Sequence, residues 1–540
     1  MTATVRDPQE LLESVYGYRE FRPGQREIID AVLAGRDCIG LMPTGAGKSL
    51  TFQIPAKLLK GTVLVLSPLI SLMKDQVDAL ERLGFRAALF NSTLGDAERT
   101  EVLRRLRRGD LELLYVAPEA LRNALRNVFA DCPISLVVVD EAHCISHWGH
   151  DFRPAYRQLR DLKQQLGDIP VLALTATATR RVALDIIRQL GMRKPAGYKG
   201  TFYRPNLRII AQKKGGGRDT RRDMLSVVRG HRDESGIVYC ATRRSVDSLT
   251  EWFGKQGVRA LAYHAGLDDR ARERNQEAFA RDQVDVVVAT VAFGMGIDKS
   301  NVRFVIHRDM PRSIEAWYQE IGRAGRDGLP SDCITFYSWA DVIGYDTFLS
   351  EIADPELRDE TRSKTLGLFR LLDRGGCRHQ ALCGYFDEAI APCGDACDAC
   401  LGLNLDDVSP SRSRSSSAFG SGSGGAGAAF GSGSGVRGAA DFERSPSPSQ
   451  RSFVPSWKQP TTVSETAVFE RLRALRRQVA DRENVPAYIV FNDAVLREMA
   501  RRLPTSDAQL LAIPGVGPAK LARYGATFLD AIRSYRSSTP

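Results

Sequence analysis

Short apolar runs recur along the first two thirds of the chain. Each ends in small or polar residues before a stretch of helical spacing begins. Thr62–Leu66, Leu111–Val116, Leu136–Val139 and Pro170–Leu174 are such runs in a first block, and Gly236–Tyr239, Val284–Ala289 and Val302–Ile306 in a second. Strands apolar on both faces, alternating with helices, predict doubly wound parallel sheets. The fold class expected is therefore α/β, with two tandem parallel-sheet domains over residues 1–204 and 205–345. Residues 346–403 have helical spacing and hold a cysteine cluster. Residues 404–463 turn abruptly to Ser, Gly, Ala and Pro, which bury no core and predict a flexible linker. Residues 464–540 return to helical spacing and predict a small all-α bundle. Parallel sheets bind ligands beyond the carboxyl ends of their strands, so chemistry is expected in those loops.

A length of 540 residues accommodates these units, and 43% hydrophobic with 26% charged residues is ordinary for a chain that buries cores. The net charge of +10 favours a polyanionic partner. Half of that excess lies near the end, where twelve Lys and Arg face seven Asp and Glu between Thr466 and Pro540. No apolar run approaches the roughly 20 residues that span a bilayer. The N-terminus has no signal-peptide core, so no membrane is expected and a cytoplasmic location is. Ten cysteines in a reducing compartment argue against a disulfide framework, and five of them fall between Cys377 and Cys400.

The clearest chemistry lies at two strand ends. Thr44, Gly45, Ala46, Gly47, Lys48 and Ser49 stand between a strand and a helix. The glycines let backbone amides approach a phosphate. Lys48 would reach the outer phosphates, and Ser49 would ligate magnesium at the helix N-terminus. Met42 departs from the general pattern, which has Gly there. Asp140 and Glu141 end the run Val137–Val139. Asp140 would hold the magnesium and Glu141 would orient or deprotonate the attacking water. Two adjacent carboxylates need the metal's charge to stay ionised together. Gln319 opens a segment that sets Arg323 and Arg326 three apart, where guanidinium forks suit phosphate oxygens. Just after the paired acids, Trp148 and Phe152 offer π-faces to bases and Arg153 offers charge, so strand occupancy and hydrolysis can be coupled there.

In this order the motifs resemble superfamily-two helicases of the RecQ family over residues ~10–400. The resemblance rests also on Gly17–Gln25, Ser67–Gln76, Ala117–Glu119, Thr175–Ala178 and Ala289–Lys299. It implies RecA-like folds for both sheets. It assigns adenine recognition to Gln25, with Tyr18 and Arg22 packing on the ring, and strand contact or domain coupling to the other segments. Cys144–Pro154 resembles the family's aromatic-rich loop, with His147, Trp148, Phe152 and Arg153 as expected DNA contacts. His147 stands where the family usually has Gln.

Cys377, Cys393, Cys397 and Cys400 suit a closed tetrahedral zinc site, and the family carries a zinc module at this place. Many bacterial members have one residue fewer between the second and third of these cysteines. Cys383 is expected to be a small buried side chain. Arg378 and His379 are open to DNA contact or to simple solvation. The last segment resembles an HRDC domain through Phe469–Arg476, Val485–Asp493 and Leu510–Lys520. Its Pro-Gly-Val-Gly-Pro turn and Lys520 are candidate nucleic-acid contacts. Many RecQ proteins place a winged helix after the zinc module, but here the Ser/Gly segment follows Cys400 almost at once.

The expected function is ATP-dependent 3′–5′ DNA unwinding with ATP, Mg2+ and Zn2+. The substrates would be single-stranded and tailed or forked duplex DNA, in recombination, replication, repair and the SOS response. Single-strand-binding protein and other repair factors are candidate partners, and the nucleoid a candidate place. One alternative is a DNA-stimulated translocase that separates strands weakly because it lacks the winged helix. A non-catalytic adaptor is opposed by intact Lys48, Asp140, Glu141 and Arg326. An RNA substrate fits charge and stacking equally.

Overall fold

The computed structural model describes residues 7–538 apart from 69, 92, 121–131, 147–148, 150–152, 162, 164–167, 294–298, 350–353, 404 and 406–462. His147, Trp148 and Phe152 of the aromatic loop, and nearly all of the Ser/Gly segment, lie outside the described residues.

The first sheet has seven strands: β1 (Cys38–Leu41), β2 (Thr62–Leu66), β3 (Ala87–Phe90), β4 (Leu113–Val116), β5 (Ile134–Val139), β6 (Val171–Thr175) and β7 (Ala196–Lys199). They lie in the order β3-β4-β2-β5-β6-β1-β7, all parallel. β2, β4 and β6 are buried along their whole length because helices cover both faces. Leu64, Leu66, Val137 and Val139 pack toward one helical layer, and Val63, Val65, Leu136 and Val138 toward the other. β6 lies between β1 and β5, so the end of β6 separates the phosphate-loop candidate from the paired acids.

The second sheet has six parallel strands: β8 (Leu207–Lys213), β9 (Ser235–Tyr239), β10 (Ala260–Tyr263), β11 (Val286–Ala289), β12 (Val302–His307) and β13 (Ser331–Tyr337). Their order is β10-β11-β9-β12-β13-β8. Helices on this sheet begin at side-chain caps that satisfy free amides. Thr242 accepts from Ser245 N, Asp268 from Ala271 N, and Ser313 from Ala316 N. The last of these starts the helix Ile314–Ile321, which carries Gln319 toward the first sheet.

Helices Pro355–Asp373, Arg378–Tyr385 and Asp398–Leu401 form the cysteine module. It is joined to the sheet edge by Ile209 N donating to Ala396 O (3.0 Å) and Ala211 N to Asp398 Oδ2 (3.0 Å). Leu405 remains buried against Ile210 and Phe336, so the chain stays on the second domain past residue 403. Helices Val463–Glu483, Ala487–Val490, Asp493–Arg502, Asp507–Leu511 and Pro518–Ser538 form the C-terminal bundle around Leu472, Phe491, Leu496, Phe528 and Ile532. This bundle packs on both sheet domains. Arg473 donates to the carbonyl of Asp233, and Arg476 Nη2 lies 3.8 Å from Asp282 Oδ2. A Cβ placed on Gly17 would fall 2.3 Å from Gly517 Cα, so two backbones meet there. Among the described residues no helix is long and apolar enough to cross a membrane.

Candidate nucleotide cleft and metal centre

A cleft of about 580 Å³ opens where the two sheets face each other. Lys48, Ser49, Asp140, Glu141, Gln319, Arg323 and Arg326 all line it, so the structure gathers the hydrolytic candidates from both domains. Gly45 and Gly47 take left-handed φ values of 84° and 80°, which curl the loop ahead of the helix Leu50–Leu58. A side chain on Gly47 would come within 2.4 Å of Gln25 Nε2. Met42 needs no flexibility: its N–H donates to Thr175 O (2.9 Å) and its side chain is fully buried. That accounts for a large residue where the general pattern has glycine.

Both ends of the Gln25 amide are engaged with the protein. Oε1 accepts from Arg22 N (2.9 Å), and Nε2 donates to Gly47 O (2.9 Å) and Ala46 O (3.3 Å). Through these bonds Gln25 braces the phosphate loop at the place where the resemblance implies that adenine binds. Arg22 donates to Gly45 O, and Tyr18 stands exposed at the mouth.

Asp140 and Glu141 leave β5 through a tight turn in which Glu141 N donates to Asp140 Oδ1 (3.0 Å). Glu141 is held at φ 48°, a left-handed conformation that costs a non-glycine residue on the order of 1–2 kcal/mol. Tyr156 fixes the turn from below, its hydroxyl donating to Asp140 O (3.1 Å). Burial, and then the neighbouring Glu141, push Asp140 up to about 7 against the opposing pull of Lys48. Two acids this close in a buried place suit a divalent cation, and Ser49 lines the same cleft. Ser49 and Asp140 therefore fit as magnesium ligands; the ion would neutralise phosphate charge.

A chain of polar contacts leads from His143, beside Glu141, to the second domain. Glu141 Oε2 lies 3.3 Å from His143 Nδ1, which lies 2.9 Å from Thr175 Oγ1. Thr175 Oγ1 accepts from Thr177 N (3.2 Å), and Thr177 Oγ1 accepts from Gln319 Nε2 (3.0 Å). β6 is what makes this possible, because it brings Thr175 between the two functional loops. Residues that the motifs alone did not single out complete the cleft. Arg204 donates from the interdomain segment to Thr44 O (2.9 Å) and to Gly325 O (2.9 Å). Its only sequence signal was its place beside Pro205 and Asn206, between the last strand of one sheet and the first of the next.

The nucleic-acid candidates are distributed differently. Arg153 is partly buried and donates from Nη1 to Pro68 O (3.1 Å), tying the aromatic loop's end to the segment after β2. Lys520 does not lie on an open face. It lines the nucleotide cleft together with Tyr488, Asn492 and Gly515, because the turn before it rests on Gly17. Its ammonium is 5.5 Å from the Phe491 ring centre, and burial lowers its pKa to about 8.

The sulfurs of Cys377, Cys393, Cys397 and Cys400 all lie within 4.8 Å of one another, and Cys393 and Cys397 are 3.5 Å apart. Four sulfurs at this spacing fit a tetrahedral zinc ion, which would act structurally because no position is left open. The Cys377 sulfur accepts from Cys393 N (3.2 Å) and Gln380 N (3.4 Å), which orients it toward the other three. Cys383 is wholly buried in the apolar core, and burial pushes its thiol up to about 12. Arg378 and His379 are neither solvated nor exposed to a strand. Arg378 forks onto Asp398 (2.9 and 3.1 Å) and donates to three carbonyls, while His379 Nε2 sits 3.0 Å from Leu207 O.

Comparison with known proteins agrees with this layout. Family models match in order: DEAD/DEAH box helicase over residues 22–186, helicase conserved C-terminal domain over 219–328, RecQ zinc-binding over 339–401 and HRDC domain over 465–532. The ATP-dependent DNA helicase RecQ of Pasteurella multocida is 39% identical over 98% of this chain and 94% of its own length. That of Haemophilus influenzae is 38% identical over 98% and 96%. Among solved structures, Mycobacterium smegmatis helicase Lhr bound to ssDNA and AMP-PNP matches with a TM-score of 0.50 at 21% identity. That match covers 64% of this chain and 50% of the other, and supports the fold of the paired sheets. With identity near 38% across almost the full length of both chains, this protein belongs to the RecQ family of superfamily-two helicases.

Proposed function

We propose that the protein is an ATP-dependent DNA helicase of RecQ type, moving 3′ to 5′ on single-stranded DNA and opening tailed or forked duplexes. The observation that carries this reading is the single cleft lined by Lys48, Ser49, Asp140 and Glu141 from the first domain and by Gln319, Arg323 and Arg326 from the second, with His143, Thr175, Thr177 and Gln319 in polar contact beside Glu141. It brings together the acid that would activate water and the helix that leads into Arg323 and Arg326. Hydrolysis and relative movement of the domains are then one event. ATP phosphates would meet the amides and Lys48 of the loop after β1, and the arginines would approach from the second domain as charge develops. Glu141 would orient the attacking water beside Asp140. Trp148, Phe152 and Arg153 would report an occupied strand to the adjacent acids. Recombination, replication and repair are the processes such an activity would serve, with single-strand-binding protein among the partners.

The test is strand separation on a duplex with a 3′ single-stranded tail, beside a 5′-tailed duplex. Unwinding of the 3′-tailed substrate alone is expected, lost without ATP. Glu141→Gln should reduce hydrolysis by about 100-fold or more while leaving nucleotide binding. DNA-stimulated hydrolysis with no strand separation would replace the helicase by a translocase. Full hydrolysis in Lys48→Ala would overturn the phosphate-loop assignment.

A further inference from the structure

Arg204 lies in the segment between β7 and β8 and touches both halves of the cleft. Its Nη1 donates to the carbonyl of Thr44 (2.9 Å) in the phosphate loop. Its Nη2 donates to the carbonyls of Ala324 (3.2 Å) and Gly325 (2.9 Å), inside the segment that carries Arg323 and Arg326. Its Nε donates to Asn206 Oδ1 (3.3 Å). One planar group thus holds three carbonyls from two domains.

The surroundings are built for close approach. Gly322 has no side chain where a Cβ would come 3.2 Å from the Thr44 side chain. Gly325 adopts φ 57°, and a Cβ there would meet Asn206 Nδ2 at 2.4 Å. Asn206 Nδ2 itself donates to Gly325 O (2.9 Å) and Leu329 O (3.0 Å). No carboxylate forms an ion pair with Arg204 among the described residues. Burial lowers its pKa; Tyr318 and Cys333 oppose this, and the nearby positive charges of Arg326 and Arg22 add to it. A cation withdrawn from water and ringed by carbonyls and other arginines is an expensive arrangement.

We propose that Arg204 is a positioning residue for ATP hydrolysis, whose fork ties the phosphate loop to the arginine loop and sets the gap between Lys48 and Arg326. The inference rests on the reading of the cleft as an ATPase site. Arg204 acts through the two loops and does not itself contact the reacting atoms. Lys48, Ser49 and the loop amides are anchored in the first domain and bind ground-state nucleotide without it. The arginines matter as charge develops on the transferred phosphoryl group, so their placement bears on kcat. Displacing a catalytic group by ~1 Å costs on the order of 100-fold.

The experiment measures DNA-stimulated ATP hydrolysis by the full chain carrying Arg204→Gln, Arg204→Lys, Asn206→Ala or the double change Arg204→Gln/Asn206→Ala. Lys48→Ala serves as the inactive control. Arg204→Gln should lower kcat by about 10- to 100-fold and leave KM for ATP within about threefold. Arg204→Lys should not restore kcat, because one ammonium cannot fork to both loops. Asn206→Ala should lower kcat less, and the double variant should be no worse than Arg204→Gln alone. If Arg204→Gln does not fold, as judged by its unfolding midpoint, Asn206→Ala carries the test on the second-domain side. Restored activity in Arg204→Lys would overturn the tether in favour of a simple charge. A KM rising in step with the lost kcat would make Arg204 a direct nucleotide ligand and would also overturn it. Unchanged kinetics in all variants would overturn it outright. An inactive wild-type chain would instead defeat the ATPase reading, so the two failures are distinguishable.

Discussion

At the scale of single residues, His231 shows how strongly a packed site sets a charge. Burial alone would lower its pKa, but hydrogen bonds to Asp332 (3.1 Å) and Glu234 (2.8 Å) outweigh that and raise it to about 9. Arg208 forks onto the same Asp332 (2.7 and 2.6 Å), and burial in Asp332 and Glu234 is likewise outweighed by these partners. A histidine with a raised folded pKa contributes stability that is complete below its unfolded value near 6.5 and declines as pH rises through 9. The contribution is on the order of 3 kcal/mol. Hydrogen exchange of the β9 and β13 amides should therefore quicken between pH 6.5 and 9 beyond the intrinsic rise, and His231→Asn should remove that excess. An excess that persists in His231→Asn would place the titration elsewhere. That Lys48, Asp140 and Glu141 stand together at strand ends in one cleft was legible because their types and order have few other uses. Arg204, Gln25 and Arg378 were not legible in the same way. Their partners are backbone carbonyls and a carboxylate brought near by folding, and a sequence shows neither.

At the scale of elements, legibility followed unbroken apolar composition more than burial: β13 is buried throughout, yet Ser331, Asp332 and Thr335 interrupt its pattern and it does not stand out. β2, β4 and β6 are apolar throughout and stand out in the sequence. β7 alternates between partial burial and exposure, and β10 is only partly buried along its length. Both are edge strands; the mixed composition of β7 hides it, and β10 is a run of only four residues, two of them alanine. The cysteine module was legible as ligands but not as a joint. Cys397 pairs with Ile209 of β8, and the flanking residues Ala396 and Asp398 bond to amides of β8. A zinc ion held by these cysteines would therefore secure a sheet edge as well as its own loops. Cys397→Ser should lose bound zinc and lower the unfolding midpoint by about 5 °C or more, because a closed metal site contributes folding energy directly. Metal content by absorption spectrometry and a thermal melt decide this. A zinc-free variant with an unchanged midpoint would show that β8 holds without the metal.

At the scale of the whole molecule, the C-terminal bundle was legible as a bundle but its place was not. The sequence predicted a small helical bundle with candidate nucleic-acid contacts and gave no sign of the face by which it packs on the sheet domains. Arg473 and Arg476 meet Asp233 and Asp282 of the second domain. Burial would raise the pKa of Asp282, but Lys299, Arg476 and Arg473 hold it well below the usual range. The backbone at Gly517 meets the first domain at Gly17, and Lys520 reaches the nucleotide cleft. A surface closed over that cleft is not open to DNA at the same time, so any strand binding by this bundle would compete with docking. Reversing one docking charge tests this. Arg473→Glu sets a carboxylate against Asp282 and Glu234, and like charges held close in a buried place repel strongly. The variant should show a larger radius of gyration by small-angle scattering, a KM for ATP changed by about threefold or more, and tighter binding of single strands without nucleotide. Raising salt on the wild-type chain should move the radius in the same direction, since exposed parts of the contact are screened within about 10 Å at 0.1 M. A radius and KM both equal to wild type in Arg473→Glu would mean that Gly17 and the apolar turn alone hold the bundle, and that its charges do not gate the cleft.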